Sequence, residues 1–110
     1  MANAGKINFV FFNEATTTTT SPILNIHGDY ITANLDITGT ATSFEMVLEG
    51  QVINDVWTEI GVTNVTTFDV GADITAKGIT QASLIGFTKV RAKIKAIAGG
   101  NLTVKARVVG

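Results

Sequence analysis

The stretch that decides the fold closes the chain, running from Lys89 to Gly110, and reads KVRAKIKAIAGGNLTVKARVVG. Apolar and polar side chains alternate along it with a period of two, which is the period of a β-strand that buries one face. The alternation predicts two strands, Lys89 to Ile97 and Leu102 to Val109. If their apolar residues share a face, the strands form a hairpin with the three-residue loop Ala98-Gly99-Gly100.

The expected hairpin opposes apolar residues on one face and cations on the other. The apolar pairs are Ala96 with Leu102 and Ile94 with Val104, and the cation pairs are Arg91 with Arg107 and Lys93 with Lys105. Like charges directly opposite each other on a sheet cost roughly 0.2–1 kcal/mol per pair. A neighbouring strand that supplies carboxylates would remove this cost.

Acidic and basic residues are segregated along the chain, so an acidic strand is available to lie beside the basic ones. All nine acidic residues lie between Glu14 and Asp73, and seven of the eight basic residues lie between Lys77 and Arg107. We therefore expect the strand with Glu45 and Glu49 to lie beside the hairpin and form a cross-strand charge ladder. The expected cations of this ladder are Arg91, Lys93, Lys95, Lys105 and Arg107.

The rest of the chain is also typical of β-sheet. Ile, Val and Thr supply 40 of its 110 residues, and turn-forming residues separate the extended runs. We expect a single all-β domain over residues 1–110, an antiparallel β-sandwich or jelly roll with eight or nine short strands, and an exposed Thr-rich loop over 13–22. Besides the two terminal strands, the candidates are Lys6–Phe12, Ile23–Ile26, Tyr30–Ile37, Ser43–Val52, Val56–Ile60, Val65–Val70 and Gly78–Leu84.

Composition and charge also argue against several classes of function. The net charge is -1, too small for the whole molecule to attract nucleic acid or an anionic membrane, and cysteine is absent. The start MANAGKINFVFF lacks the pattern of a secretory signal, and no apolar run is long enough to span a membrane. We expect no cofactor. Nucleic-acid binding through the basic face would need interleaved aromatic residues, and Phe87 is the only aromatic residue after Phe68.

The first predicted strand, KINFVFF, is apolar on both sides. Ile7, Phe9 and Phe11 point one way, and Val10 and Phe12 point the other. Such a strand is covered either within its own sandwich or by a second subunit. Ile7, Phe9, Phe11 and Phe12 are therefore the candidate residues for a contact between copies of the chain.

Several other residues allow both a structural and a functional interpretation. Trp57 suits a core or edge anchor, and together with Tyr30 it would serve a carbohydrate-binding module. His27 beside Asp29 offers the elements of a general base, although HGD is equally typical of a turn. Asp69 and Asp73 offer oxygen ligands for calcium but match no calcium-loop pattern. The sequons at Asn64 and Asn101 suit turn-to-strand junctions, and we expect no catalytic or metal site.

The region from Phe44 to Arg107 resembles small β-sandwich structural proteins of tailed bacteriophages and prophages. The resemblance rests on FEMVLEGQVINDVWTEIG, a T-F-D-V strand, a G-I-T segment and FTKVRAKIKAIAGGNLTVKAR. The sequence is also similar to some carbohydrate-binding sandwiches.

The resemblance implies a virion component, made in the bacterial cytoplasm, that works by assembly and not by catalysis. Head-decoration, head-to-tail connector, tail and fibre subunits are the types implied. Its expected partners are copies of itself and other virion proteins.

Overall fold

The computed structural model describes residues 6–26, 30–53 and 55–110, and these residues contain no helix. Eleven strands are present among them. The strands are β1 Lys6–Ala15, β2 Thr19–Thr20, β3 Leu24–Asn25, β4 Thr32–Thr38, β5 Ser43–Gln51, β6 Trp57–Ile60, β7 Val62–Asn64, β8 Val70–Gly71, β9 Gly78–Ser83, β10 Lys89–Ala98 and β11 Leu102–Val109. The predicted all-β class is confirmed.

The strands form two antiparallel sheets that face each other. One sheet has six strands in the order β1-β11-β4-β9-β7-β8, and the other has five, in the order β2-β10-β5-β6 with β3 also paired to β10. The alternating sequence explains this arrangement, because each sheet turns its apolar side chains towards the other and its polar side chains outwards. The predicted antiparallel sandwich is therefore correct.

The core contains residues from both sheets. Met46 and Leu48 on β5, and Leu35 and Ile37 on β4, are at most 1% exposed. Phe87 packs against this core from the connection between β9 and β10. Burial of this continuous apolar layer is the main stabilising term in a chain that has no disulfide.

The expected terminal hairpin is wrong. β10 pairs with β5 in the five-stranded sheet, whereas β11 pairs with β1 and β4 in the six-stranded sheet. The chain therefore crosses from one sheet to the other between Ala98 and Leu102. Ile94 and Val104 are both buried, as their alternation requires, but they lie on opposing sheets.

Two neighbouring crossings hold this end of the sandwich together. Residues 39–42 join β4 to β5, and residues 99–101 join β10 to β11. The amide of Ala41 donates to the carbonyl oxygen of Asn101 at 2.9 Å, and the amide of Thr42 donates to that of Ala98 at 2.9 Å. Gly99 has a φ of +79° and lies against Thr42 without room for a side chain, so glycine is needed there for this crossing and not for a hairpin.

Irregularities in two strands change which side chains face the core. In β1 the register shifts between Val10, opposite Lys105, and Phe12, opposite Val104, so Phe12 turns inwards and is buried. The expectation that Phe12 shares a face with Val10 is therefore wrong. In β10 a shift between Ile94 and Ala96 leaves Ala96 exposed, contrary to its expected place on the apolar face.

Two other segments differ from expectation. The predicted strand Val65–Val70 contains a turn, because the Asn64 side-chain oxygen accepts hydrogen bonds from the amides of Thr66 and Thr67. The predicted loop over 13–22 contains the end of β1, and β2 pairs with β10. Ser21 in that segment is buried, and its amide donates to the carbonyl oxygen of Ala92 at 2.8 Å.

Candidate functional site

Ion pairs connect β10 to its neighbours on the outer face of the five-stranded sheet. Arg91 lies opposite Glu49, and its Nε is 2.8 Å from a Glu49 carboxylate oxygen. The Nζ of Lys95 lies 2.8 Å from an oxygen of Asp73 and 3.1 Å from one of Glu45. Hydrogen bonds to Asp73 and then Glu45 raise the pKa of Lys95 above its ordinary value. These cations are therefore neutralised within the chain.

Arg91 also covers the single tryptophan. Its guanidinium lies 3.9 Å from the centre of a Trp57 ring, a cation–π contact on the edge strand β6. Tyr30 is half-buried and packs against the core. Trp57 is packed at the sheet edge beside Arg91.

The other cations of the expected ladder are placed differently. Lys105 and Arg107 lie on the six-stranded sheet, so they do not face Lys93 and Arg91 as expected. Lys105 is opposite Asp36 and Val10 in register, and Arg107 is opposite Asn34 and Asn8. Among the described residues, no carboxylate lies within ion-pair distance of Lys93, Lys105 or Arg107.

Lys105 and Arg107 line a groove on the outer face of the six-stranded sheet. The groove has a volume of about 330 Å³. Its lining residues come from β1, β4, β9 and β11 and are Asn8, Phe9, Val10, Asn34, Asp36, Ile79, Lys105, Ala106 and Arg107. Because it lies over the edge strand β1, it is continuous with a strand edge that has no partner within the described part of the chain.

The four aromatic and aliphatic contact candidates on β1 are less accessible than expected. Phe11 and Phe12 are 3% and 5% exposed and belong to the core, so they are not available to a second subunit. Ile7 and Phe9 are half-buried against the same core, and Phe9 meets Phe11 edge-on with ring centres 5.0 Å apart. Val10, which was not a candidate, is 47% exposed.

Exposed apolar side chains also collect at one end of the sandwich, a feature that sequence analysis missed. They lie in the β5–β6 and β9–β10 connections and just before β4, and they are Ile31, Val52, Ile53, Val56 and Ile85. Hydrogen bonds from Leu84 to Ile31 and from Thr88 to Gln51 bring these segments together. The sequence offered only a partial signal, because Ile53 and Ile85 are large apolar residues outside the predicted strands, whereas Ile31, Val52 and Val56 lie within them.

Residues 5–108 match the XepA family. The chain belongs to the XepA family. No curated protein matches it in sequence.

Two solved structures share the fold of this XepA-family chain. The SPBc2 prophage-derived protein YomS superposes with a TM-score of 0.85 at 24% identity, over 96% of this chain and 93% of YomS. The PBSX exported protein XepA superposes with a TM-score of 0.89 at 22% identity, over 96% of this chain. The chain spans only 38% of that XepA. The resemblance to small β-sandwich proteins of phages and prophages is confirmed.

The remaining site candidates of this XepA-family chain have ordinary structural contacts where they are described. Asp69 accepts a hydrogen bond from the Thr67 hydroxyl at 2.9 Å, and Asp73 pairs with Lys95. The Asn101 side-chain oxygen accepts from the amide of Thr40 at 3.3 Å. His27 and Asp29 lie outside the described residues.

Residues 6–26, 30–53 and 55–110 contain no group of three or more side chains placed to hold a metal ion. Nor do they contain a helix with the length and apolar character of a membrane span.

Proposed function

We propose that this protein is a non-enzymatic structural component of a bacteriophage or prophage virion. It acts through symmetric contacts with copies of itself and through contacts with other virion proteins. Membership of the XepA family and a fold shared with the prophage-derived YomS support a phage origin. Head-decoration, connector, tail and fibre positions are all consistent with a small sandwich that assembles.

The observation that carries the proposal is the open edge of β1. This ten-residue strand ends the six-stranded sheet, and none of the other described strands pairs with its outer side. An edge of this kind presents unpaired backbone groups that a second chain can hydrogen-bond. The register is regular only from Lys6 to Val10, so that segment is the one that forms the contact.

The simplest symmetric contact joins two β1 edges antiparallel about a two-fold axis. This arrangement is self-complementary, since each copy offers the same strand to the other, and it continues one six-stranded sheet into the next. Ile7, Phe9 and Val10 would lose further solvent exposure in the contact. The apolar end defined by Ile31, Val52, Ile53, Val56 and Ile85 is then left for a different virion protein.

Light scattering coupled to size-exclusion chromatography tests the self-association. We expect the protein to form dimers or higher oligomers, and Val10→Lys to shift it towards monomer, because a charge at an edge position opposes strand pairing. Thr58→Lys is the matched control, since Thr58 is exposed on β6, which is an edge strand of the other sheet among the described residues. A strict monomer at high concentration, or an equal effect of both substitutions, would overturn the proposed contact.

An immunoblot of purified particles tests the virion location. We expect the protein to co-purify with particles from a lysate. Release as a free protein is the competing outcome, and the description of XepA as an exported protein makes the comparison with the particle-free supernatant necessary. Detection in that supernatant alone would contradict the virion location without affecting the self-association.

A further inference from the structure

The cations on the outer faces of the two sheets differ in whether a carboxylate pairs with them. On the five-stranded sheet, Arg91 and Lys95 each bond to a carboxylate at 2.8 Å, whereas Lys93 has no ion pair within the described residues. On the six-stranded sheet, Lys105 and Arg107 have no ion pair within the described residues, although Asp36 lies opposite Lys105 in register. The charge of the groove cations is therefore available to a ligand.

The position of these cations defines a spacing. Lys105 and Arg107 are two residues apart on β11, and both are exposed on the outer face while Val104, Ala106 and Val108 are buried. Residues i and i+2 of a strand are separated by about 7 Å along the strand direction. An extended peptide with acidic residues at alternate positions has the same spacing.

The remaining lining of the groove suits a peptide backbone and its neighbouring side chains. Val10 and Ile79 are apolar and about half exposed, at 47% and 41%. They flank the row that contains Lys105 and Asp36, since Val10 and Ile79 occupy its two ends. These apolar side chains can contact the aliphatic parts of a peptide that lies along the groove.

We propose that this groove binds an extended acidic peptide segment of a partner protein, with carboxylates at alternate positions on Lys105 and Arg107. Arg107 can bind one carboxylate through two parallel hydrogen bonds, and Lys105 acts as a point charge on the other. The groove shares Phe9 and Val10 with the proposed β1 contact, but its two cations lie on β11 and outside that contact. Peptide binding and self-association are therefore tested by separate experiments.

A single-stranded nucleic acid is the other polyanion to consider. Binding of that class relies on bases stacking on aromatic side chains as well as on phosphate contacts. The one aromatic residue that lines the groove is Phe9, which is half-buried against the core and against Phe11. The groove therefore favours the peptide.

Fluorescence anisotropy with labelled peptides tests the proposal. The probe is a rhodamine-labelled Thr-Glu-Thr-Glu-Thr peptide, and its control is Thr-Gln-Thr-Gln-Thr. We expect the protein to bind the acidic probe at least tenfold more tightly than the control, and to bind it more weakly as salt concentration rises. We expect the double variant Lys105→Gln/Arg107→Gln to weaken binding of the acidic probe at least tenfold.

The matched variant is Lys89→Gln/Lys93→Gln, which removes the same charge from the outer face of the five-stranded sheet. It should bind the acidic probe within twofold of the unmodified protein. Equal losses in the two double variants would overturn the proposal, as would no binding of the probe at all. Tighter binding of a labelled oligothymidine than of the acidic probe would also overturn it, in favour of a nucleic-acid site.

Discussion

At the scale of single residues, Gly50 shows how closely the core is packed. It lies in β5, it is buried, and a Cβ placed on it would come within 3 Å of both Phe87 and Ile60. The missing side chain therefore provides the space into which the Phe87 ring packs. Gly61, between β6 and β7, is exposed and has no atom close to the position of a Cβ.

This difference gives a matched pair of substitutions. Gly50→Ala should lower the free energy of unfolding by about 1–3 kcal/mol, the usual cost of overpacking a core. Gly61→Ala should leave it within about 0.5 kcal/mol of the unmodified protein. Urea titrations followed by circular dichroism measure both values, and similar small effects for the two variants would show that Phe87 can move away from Gly50.

Residue-level expectations from sequence were most accurate for burial. Alternation correctly placed Val90, Ala92 and Ile94 on a buried face. It specifies only which face of a strand is apolar, however, and not which strand lies beside it. A hairpin and a crossing between facing sheets bury the same alternating side chains of β10 and β11, so the alternation alone does not distinguish the two arrangements.

At the scale of elements, a one-residue irregularity in β1 determines which of its side chains face the core. With regular alternation, Phe12 would lie on the same face as Val10 and would be exposed. The register shift after Val10 turns Phe12 inwards, where it is opposite Val104 and 5% exposed. Alternation does not reveal such a shift, because both neighbouring residues, Phe11 and Phe12, are equally apolar.

The register shift in β1 predicts that two side-chain truncations have unequal effects on the free energy of unfolding. Phe12→Ala should lower the free energy of unfolding by about 3–5 kcal/mol, because it opens a cavity in the core. Val10→Ala should lower it by less than about 1 kcal/mol, since Val10 is partly exposed. Urea titrations at low protein concentration, where self-association does not contribute, compare the two. Equal costs would mean that β1 is regular and that Phe12 faces outwards.

The candidate surfaces were only partly predictable from the sequence. The sequence located Glu45, Glu49 and the cations, and it predicted that β5 lies beside β10. The position of Lys105 and Arg107 depends on the sheet to which β11 belongs. β11 joins the six-stranded sheet by pairing with β1, and the paired residues are about a hundred positions apart in the sequence. The groove is a product of this long-range pairing, so no local pattern indicates it.

At the scale of the whole molecule, the chain repeatedly passes between the sheets. The connections β1–β2, β3–β4, β4–β5, β6–β7, β9–β10 and β10–β11 all join a strand of one sheet to a strand of the other. Among the described residues, buried side chains from both sheets belong to one hydrophobic cluster. We therefore expect the two sheets to unfold together.

Cooperative unfolding can be measured with a probe on each sheet. Trp57 is the only tryptophan and lies on the five-stranded sheet, so its fluorescence reports on that sheet, whereas far-ultraviolet circular dichroism reports on both. The two signals should change at the same urea concentration, as in a two-state transition.

Leu102→Ala, on β11 of the six-stranded sheet, removes a side chain that is 0% exposed and should lower the free energy of unfolding by about 2–5 kcal/mol. Because the core is shared, that substitution should lower the urea midpoint of Trp57 fluorescence as much as that of circular dichroism. A midpoint that falls for circular dichroism alone would mean that the five-stranded sheet is stable without its partner.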